Sequence, residues 1–116
     1  MANRILFASS VICGLLHILA MIMFAPPNIL LITFLCGSIS SIYNHGSTKN
    51  LAKWTDRIVM VIGMIIEFFF ASNTHVVLIL ISICLYFSGK RLKSSVPHLV
   101  AHFILTTCHI MIVDAN

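Results

Sequence analysis

The feature that most constrains this chain is a series of five long apolar segments separated only by short polar stretches. The first segment contains about the 20 apolar residues that a helix needs to cross a bilayer. With 59% hydrophobic and 9% charged residues among 116, the chain has more apolar surface than a soluble domain of this size can bury. We therefore predict an all-α integral membrane protein, a single transmembrane domain over residues 1–116. The predicted five transmembrane helices are residues 5–25, 28–45, 56–72, 75–88 and 97–113.

Breaker and capping residues place the ends of these helices. Pro26 and Pro27 end the first segment, Thr55 is placed to cap the third, and Pro97 lies in the first turn of the fifth. Arg4 followed by an apolar core also fits a signal peptide. The core is too long for one and lacks a convincing cleavage site, so we predict a retained helix.

The basic residues indicate how the bundle is oriented. All seven fall on one side of the alternating loops, which by the positive-inside rule places the amino terminus in the cytoplasm and the carboxy terminus outside or in a lumen. There is no basic stripe with interleaved aromatic residues, so the net charge of +4 does not indicate a nucleic-acid partner. The basic residues are Arg4, Lys49, Lys53, Arg57, Lys90, Arg91 and Lys93.

The four cysteines all lie inside apolar segments. None is part of a C-x-x-C pair, so the sequence predicts neither a thiolate zinc site nor a disulfide framework. We interpret them as small buried apolar residues. They are Cys13, Cys36, Cys84 and Cys108.

Five polar side chains are candidates for a reactive centre near the cytoplasmic face. Ser41 and His45 close the second segment, Asp56 opens the third, and His98 and His102 lie in the fifth. Residues four apart share a helix face, so both i, i+4 pairs can point inward together. Ionisable groups within a membrane are costly and tend to be functional.

Three imidazoles and a carboxylate are the parts of a zinc hydrolase site. His98 and His102 form a two-point clamp, and His45 supplies a third nitrogen, which leaves one tetrahedral position for water. In this interpretation the cofactor is Zn²⁺, Asp56 is the general base, and Ser41 orients the water or stabilises an oxyanion. The competing interpretation is that each histidine serves packing or hydrogen bonding. The joint occurrence of both motifs and the aspartate at one depth favours the metal site.

The motifs that carry these residues resemble a known superfamily. SSIYNH followed by WTD, with PHLVAH in the last segment, is similar to the signature shared by alkaline ceramidases, adiponectin-receptor-type proteins, haemolysin-III-like proteins and GPI-remodelling lipid hydrolases. The resemblance implies zinc on His45, His98 and His102, with Asp56 and Ser41 as catalytic groups. The position of Asp56, eleven residues after His45, matches the ceramidase branch. Family members usually have seven helices, so this chain would be a shortened form.

The resemblance implies a zinc-dependent lipid amidase or esterase. Its substrate would be ceramide, placing the chain in sphingolipid metabolism, or another acyl lipid, because the same activated water attacks amide and ester carbonyls. A five-helix bundle encloses less lipid than seven helices do, and formation of a homo-oligomer would supply the missing walls.

Two alternatives come from other classes of protein. His17, Glu67 and His109 would line the path of a small proton or ion channel. Glu67 lies about 16 Å along the helix from Asp56 and cannot share its metal. For His17 a packing role is favoured over a partnership with Glu67, and we expect His75 to lie at the far membrane interface. The other alternative is a non-catalytic membrane subunit in which the zinc is structural.

Overall fold

The structure, a computed structural model, describes residues 3–116 and is all-helical over that range. The prediction of an all-α fold with five helices is confirmed. The helices are α1 (Arg4–Phe24), α2 (Asn28–Gly46), α3 (Asn50–Phe68), α4 (Asn73–Leu92) and α5 (Val96–Ala115).

Local hydrogen bonds explain several helix ends. Asn3 caps α1, because its side-chain oxygen accepts from the backbone N–H of Leu6 at 3.0 Å. After α1 the chain turns at Ala25, which has a left-handed φ of 44°. Ser72 and His75 form a reciprocal capping box at the start of α4, with each side chain accepting from the other's backbone N–H. His75 is buried, and its ring nitrogen Nδ1 is used in this cap.

The third helix differs most from its predicted bounds of 56–72. It begins at Asn50, six residues earlier, and ends at Phe68. Thr55 therefore lies inside the helix and does not cap it. The intervening residues Leu51, Ala52 and Lys53 are good helix formers, so the polar stretch continues the helix instead of forming a loop.

Four of the helices, α1, α2, α4 and α5, are long and apolar enough to cross a membrane. The exception is α3, which carries Lys53, Asp56, Arg57 and Glu67. The outer surface supports a membrane environment, because large apolar side chains such as Ile22 and Phe69 are 75% and 85% exposed.

The helices pack in the spatial order α3, α2, α1, α5, α4. Each connection is only three or four residues long, so successive helices run in opposite directions. The starts of α1, α3 and α5 and the ends of α2 and α4 therefore meet at one end of the bundle, which we call the basic end because the lysines and arginines lie towards it.

The apolar core lies towards the opposite end, which we call the far end. Its residues come mainly from the end of α1, the start of α2 and the end of α5. The basic half of the interior is more polar, and this is the half that contains the candidate metal ligands. The core residues are Met21, Leu30, Phe34, Ile79, Cys108, Ile112 and Val113.

Candidate metal centre

Three histidines from two helices meet inside the basic end. His45 belongs to the last turn of α2, and His98 and His102 belong to the first turns of α5. One ring nitrogen from each lies within 4.8 Å of the others, so the group could hold a metal ion. The ring centroids are 4.6 to 5.0 Å apart, and Tyr86 of α4 packs edge-on against His98 with its centroid at 4.9 Å.

Gly89 lets α4 approach the start of α5, where His98 lies. A Cβ atom at this position would come 2.9 Å from the Ser94 carbonyl oxygen and 3.4 Å from the His98 backbone nitrogen. The backbone of Ser94 also donates to the Gly89 carbonyl at 3.0 Å. A backbone contact this close cannot be relieved by rotating a side chain, so the position of His98 depends on glycine at 89.

Gly46, directly after His45, has a similar role between α1 and α2. A Cβ atom there would lie 2.9 Å from the ring of Phe7. The glycine therefore leaves room for an aromatic side chain from α1 beside the end of α2. The close approach of α1 also brings its serines to the metal centre.

Ser9 of α1 makes a hydrogen bond to His102, and the direction of this bond depends on the His102 tautomer. The Ser9 hydroxyl donates to the Leu6 carbonyl at 2.9 Å, and its oxygen lies 2.7 Å from His102 Nδ1. In the arrangement in which the hydroxyl hydrogen is donated to the Leu6 carbonyl, Nδ1 carries the proton and donates to Ser9. The lone pair of His102 is then on Nε2, where it is available to a metal, and hydrogen bonding of the other ring nitrogen is typical of metal-binding histidines.

Asp56 is held by two side chains from α2. Its carboxylate oxygens accept from Ser40 Oγ at 3.1 Å and from Asn44 Nδ2 at 3.0 Å. Asp56 also lies close enough to His98 for their charges to interact. The structure therefore brings the predicted base to the side of the histidine cluster.

Ser41 turns towards α1. Its oxygen lies 3.1 Å from Ser10 Oγ, and either hydroxyl can be the donor of this pair. Ser10 Oγ also lies 2.8 Å from the Leu6 carbonyl oxygen. Among the described residues Ser41 makes no hydrogen bond to the three histidines. In this conformation the Ser41 hydroxyl contacts Ser10 of α1 and not the histidine cluster.

Three polar contributors to the site were missed by the sequence interpretation. Ser40 and Asn44 are an i, i+4 pair one position before Ser41 and His45, and this spacing is a signal that could have identified their shared face. Ser9 had no comparable signal, because its role depends on the contact between α1 and α5.

A second polar cluster lies between the metal centre and the far end. His109 Nε2 is 2.7 Å from Glu67 Oε1, and His109 Nδ1 is 2.8 Å from His17 Nε2. The favoured packing role therefore does not describe His17 fully, because it hydrogen-bonds to His109, and its connection to Glu67 is indirect through that residue. Phe34 stacks on the His109 ring at 4.3 Å. None of these residues belongs to the metal-binding group.

Comparisons of the chain with protein-family models, with curated proteins and with solved structures found no match.

Proposed function

We propose that this chain is a zinc-dependent hydrolase that cleaves an acyl amide or ester bond of a lipid in the membrane. The observation that carries the proposal is the convergence of His45, His98 and His102 at one point, with Asp56 beside them. Three neutral imidazoles with a nearby carboxylate suit a catalytic zinc site, which keeps one position open for water.

The donor set fits zinc chemically. Imidazole nitrogens are common zinc ligands, and the hydrogen bond from His102 to Ser9 directs the remaining lone pair away from α1. When bound, zinc would polarise the substrate carbonyl and make water a stronger nucleophile.

Asp56 would act as the general base by accepting a proton from the attacking water. Ser40 and Asn44 orient its carboxylate, and each oxygen keeps a lone pair for a further hydrogen bond. Ser41 would contribute as a hydrogen-bond acceptor for the water or a substrate hydroxyl.

The surroundings support a lipid substrate. The site lies inside the basic end of a bundle whose outer surface is largely apolar, so an acyl lipid could reach it from the bilayer. In this proposal all five helices cross the membrane and the basic end faces the cytoplasm. Ceramide is the leading substrate, followed by a phospholipid or GPI-type ester.

The experiment is a hydrolysis screen with the full chain purified in detergent or lipid nanodiscs. Zinc-loaded protein is incubated with ceramide, a phospholipid and a GPI-type glycolipid, with and without a chelator, and fatty acid release is measured. We expect release from at least one lipid and its loss on chelation.

Three variants separate metal binding from chemistry. His102→Ala should lose both zinc and hydrolysis, whereas Asp56→Asn should keep zinc and lose hydrolysis. Asp114→Asn alters an exposed carboxylate on α5 and should keep both. If Asp56→Asn had no effect on turnover, the proposed base would be wrong. If the zinc-loaded chain released no fatty acid from any lipid, the metal would be structural.

A further inference from the structure

The second polar cluster joins three helices that do not all pack against one another. Glu67 comes from the end of α3, His109 from α5 and His17 from α1. Glu67 and His17 are only 4% and 8% exposed. Ionisable groups in the interior of a membrane bundle are costly, and they tend to be functional.

The hydrogen bonds determine where the protons of this cluster lie. His17 Nδ1 is 2.6 Å from the Cys13 carbonyl oxygen, which can only accept, so Nδ1 carries a proton. In neutral His17 the other nitrogen, Nε2, is then an acceptor, and His109 Nδ1 must donate to it at 2.8 Å. In neutral His109 this leaves the lone pair on Nε2, which faces Glu67 Oε1.

A single proton therefore belongs between His109 and Glu67. His109 Nε2 and Glu67 Oε1 are 2.7 Å apart, which is close enough for an ion pair. An N–H bond on His109 Nε2 would not point straight at this oxygen, so the contact is not a linear hydrogen bond. The other carboxyl oxygen, Oε2, is buried without a hydrogen-bond partner. With one proton the cluster is neutral overall, whereas without it an uncompensated carboxylate would be buried.

We propose that Glu67, His109 and His17 form a proton-binding relay, a second functional site of this chain that is separate from the metal centre. The site takes one exchangeable proton and shares it across the three helices. It does not depend on the hydrolase proposal, because none of its three residues is a candidate zinc ligand.

The transfer of the proton conserves both atoms and charge. The O–H bond of protonated Glu67 breaks as its proton binds His109 Nε2, and the Nδ1–H bond of His109 breaks as that proton binds His17 Nε2. Glu67 is then a carboxylate, His109 is neutral in its other tautomer, and His17 is an imidazolium. The net charge of the cluster is unchanged.

Glu67 is the end of the relay nearest the far end of the bundle. Glu67 is in the last turn of α3, directly before the connection 69–72 at the far end, and its Oε2 has a free acceptor position. His17 is the inner end of the relay, one turn from Cys13. The Cys13 thiol contacts the His102 carbonyl at 3.7 Å, so the relay ends next to a helix of the metal centre without reaching a ligand nitrogen.

The other titratable groups facing the cluster are few. Cys13 on α1 and Cys108 on α5 are thiols, and Cys108 lies close enough to Glu67 to interact with its charge. On α4, His75 offers its carbonyl to Cys108 at 3.4 Å, while its ring is used in the helix cap. On α2, Phe34 contributes only its ring.

The test combines infrared and nitrogen-15 NMR spectroscopy of the full chain in nanodiscs with labelled histidine. As the pH rises, the protonated-carboxyl band of Glu67 or the imidazolium signal of His109 should disappear. The His17 and His109 signals should shift in the same step, because the groups share one proton. In Glu67→Gln the coupled shift should be lost, while zinc content is retained.

Asp114→Asn is the matched control, since it removes an exposed carboxyl from the same helix as His109. This variant should keep the coupled step. Titration of the unaltered protein alone tests the relay even if Glu67→Gln does not fold. A His17 signal that stays constant while His109 titrates would overturn the relay, as would the absence of any bound proton in the cluster at neutral pH.

Discussion

Among the individual residues of the metal centre, Ser9 has the least expected role. When its hydroxyl hydrogen is donated to the Leu6 carbonyl, only its oxygen faces His102. A serine in this state can accept but not donate, and so it selects one histidine tautomer. The selection prepares Nε2 of His102 for a metal before any metal binds.

Ser9→Ala should therefore weaken zinc binding. We expect an affinity lower by about 10- to 100-fold, the usual effect of removing a partner of a metal-binding histidine. Competition with a chromogenic chelator measures the change. Ser82→Ala is the control, because Ser82 is also a buried serine that donates to its own helix, at the Leu78 carbonyl. Equal affinities for Ser9→Ala and the unaltered chain would contradict the assigned role.

Asn44 should affect turnover rather than metal binding. A hydrogen bond to a charged group contributes about 1.5–3 kcal/mol, so Asn44→Ala should lower lipid hydrolysis by about 10- to 100-fold if Asp56 is the base. Zinc content should stay the same. Asn28→Ala, at the exposed start of α2, serves as the control for losing an asparagine from this helix. A loss of zinc in Asn44→Ala would show that the residue positions the ligands instead.

At the scale of the helices, the contact between α4 and α5 positions the start of α5, which carries His98 and His102. Gly89→Ala would place a Cβ atom 2.9 Å from the Ser94 carbonyl, so the start of α5 must shift and carry His98 with it. We expect weaker zinc binding and a lower temperature of unfolding, measured by chelator competition and circular dichroism.

Gly37→Ala on α2 is the control for that substitution. Nothing lies within 4 Å of a Cβ atom at position 37, and alanine favours a helix by up to about 1 kcal/mol relative to glycine. This variant should be at least as stable as the unaltered chain. If both alanine variants behaved alike, the close approach at Gly89 would not matter for the site.

The helix bounds show which parts of the fold the sequence could predict and why the other parts could not be predicted. Pro27 and the apolar segments located α1, α2, α4 and α5 to within a few residues. The start of α3 was missed because its first residues are polar but favour a helix. Ser40 and Asn44 face Asp56 because of how α2 is rotated about its axis relative to α3. Sequence spacing alone does not determine this rotation.

At the scale of the whole molecule, the short connections make successive helices run in opposite directions. This made it predictable that the three histidines would meet. His45 lies at the end of one helix and His98 near the start of another, so both had to lie at the basic end. The separation of the relay from this centre also followed from the helical rise. The bridging position of His109 did not, because it requires knowing that α5 packs beside α1.

The number of membrane crossings can be tested by labelling with an impermeant thiol reagent. In a chain with the exposed Cys36 and Cys84 replaced by alanine, Thr48→Cys should react from the cytoplasmic side. Thr74→Cys and Asn116→Cys should react only from the opposite side, because the proposed topology has five crossings between the termini. Reaction of Thr74→Cys from the cytoplasmic side would show that α3 does not cross.

The central claim is that His45, His98 and His102 bind one zinc ion, and metal analysis with X-ray absorption tests it most directly. The purified full chain should contain about one zinc per molecule, with imidazole nitrogens at about 2.0–2.1 Å. The chain in which all three histidines are replaced by alanine should contain none. A chain that retains no divalent metal, or a triple variant that binds zinc as well as the unaltered protein, would contradict the account.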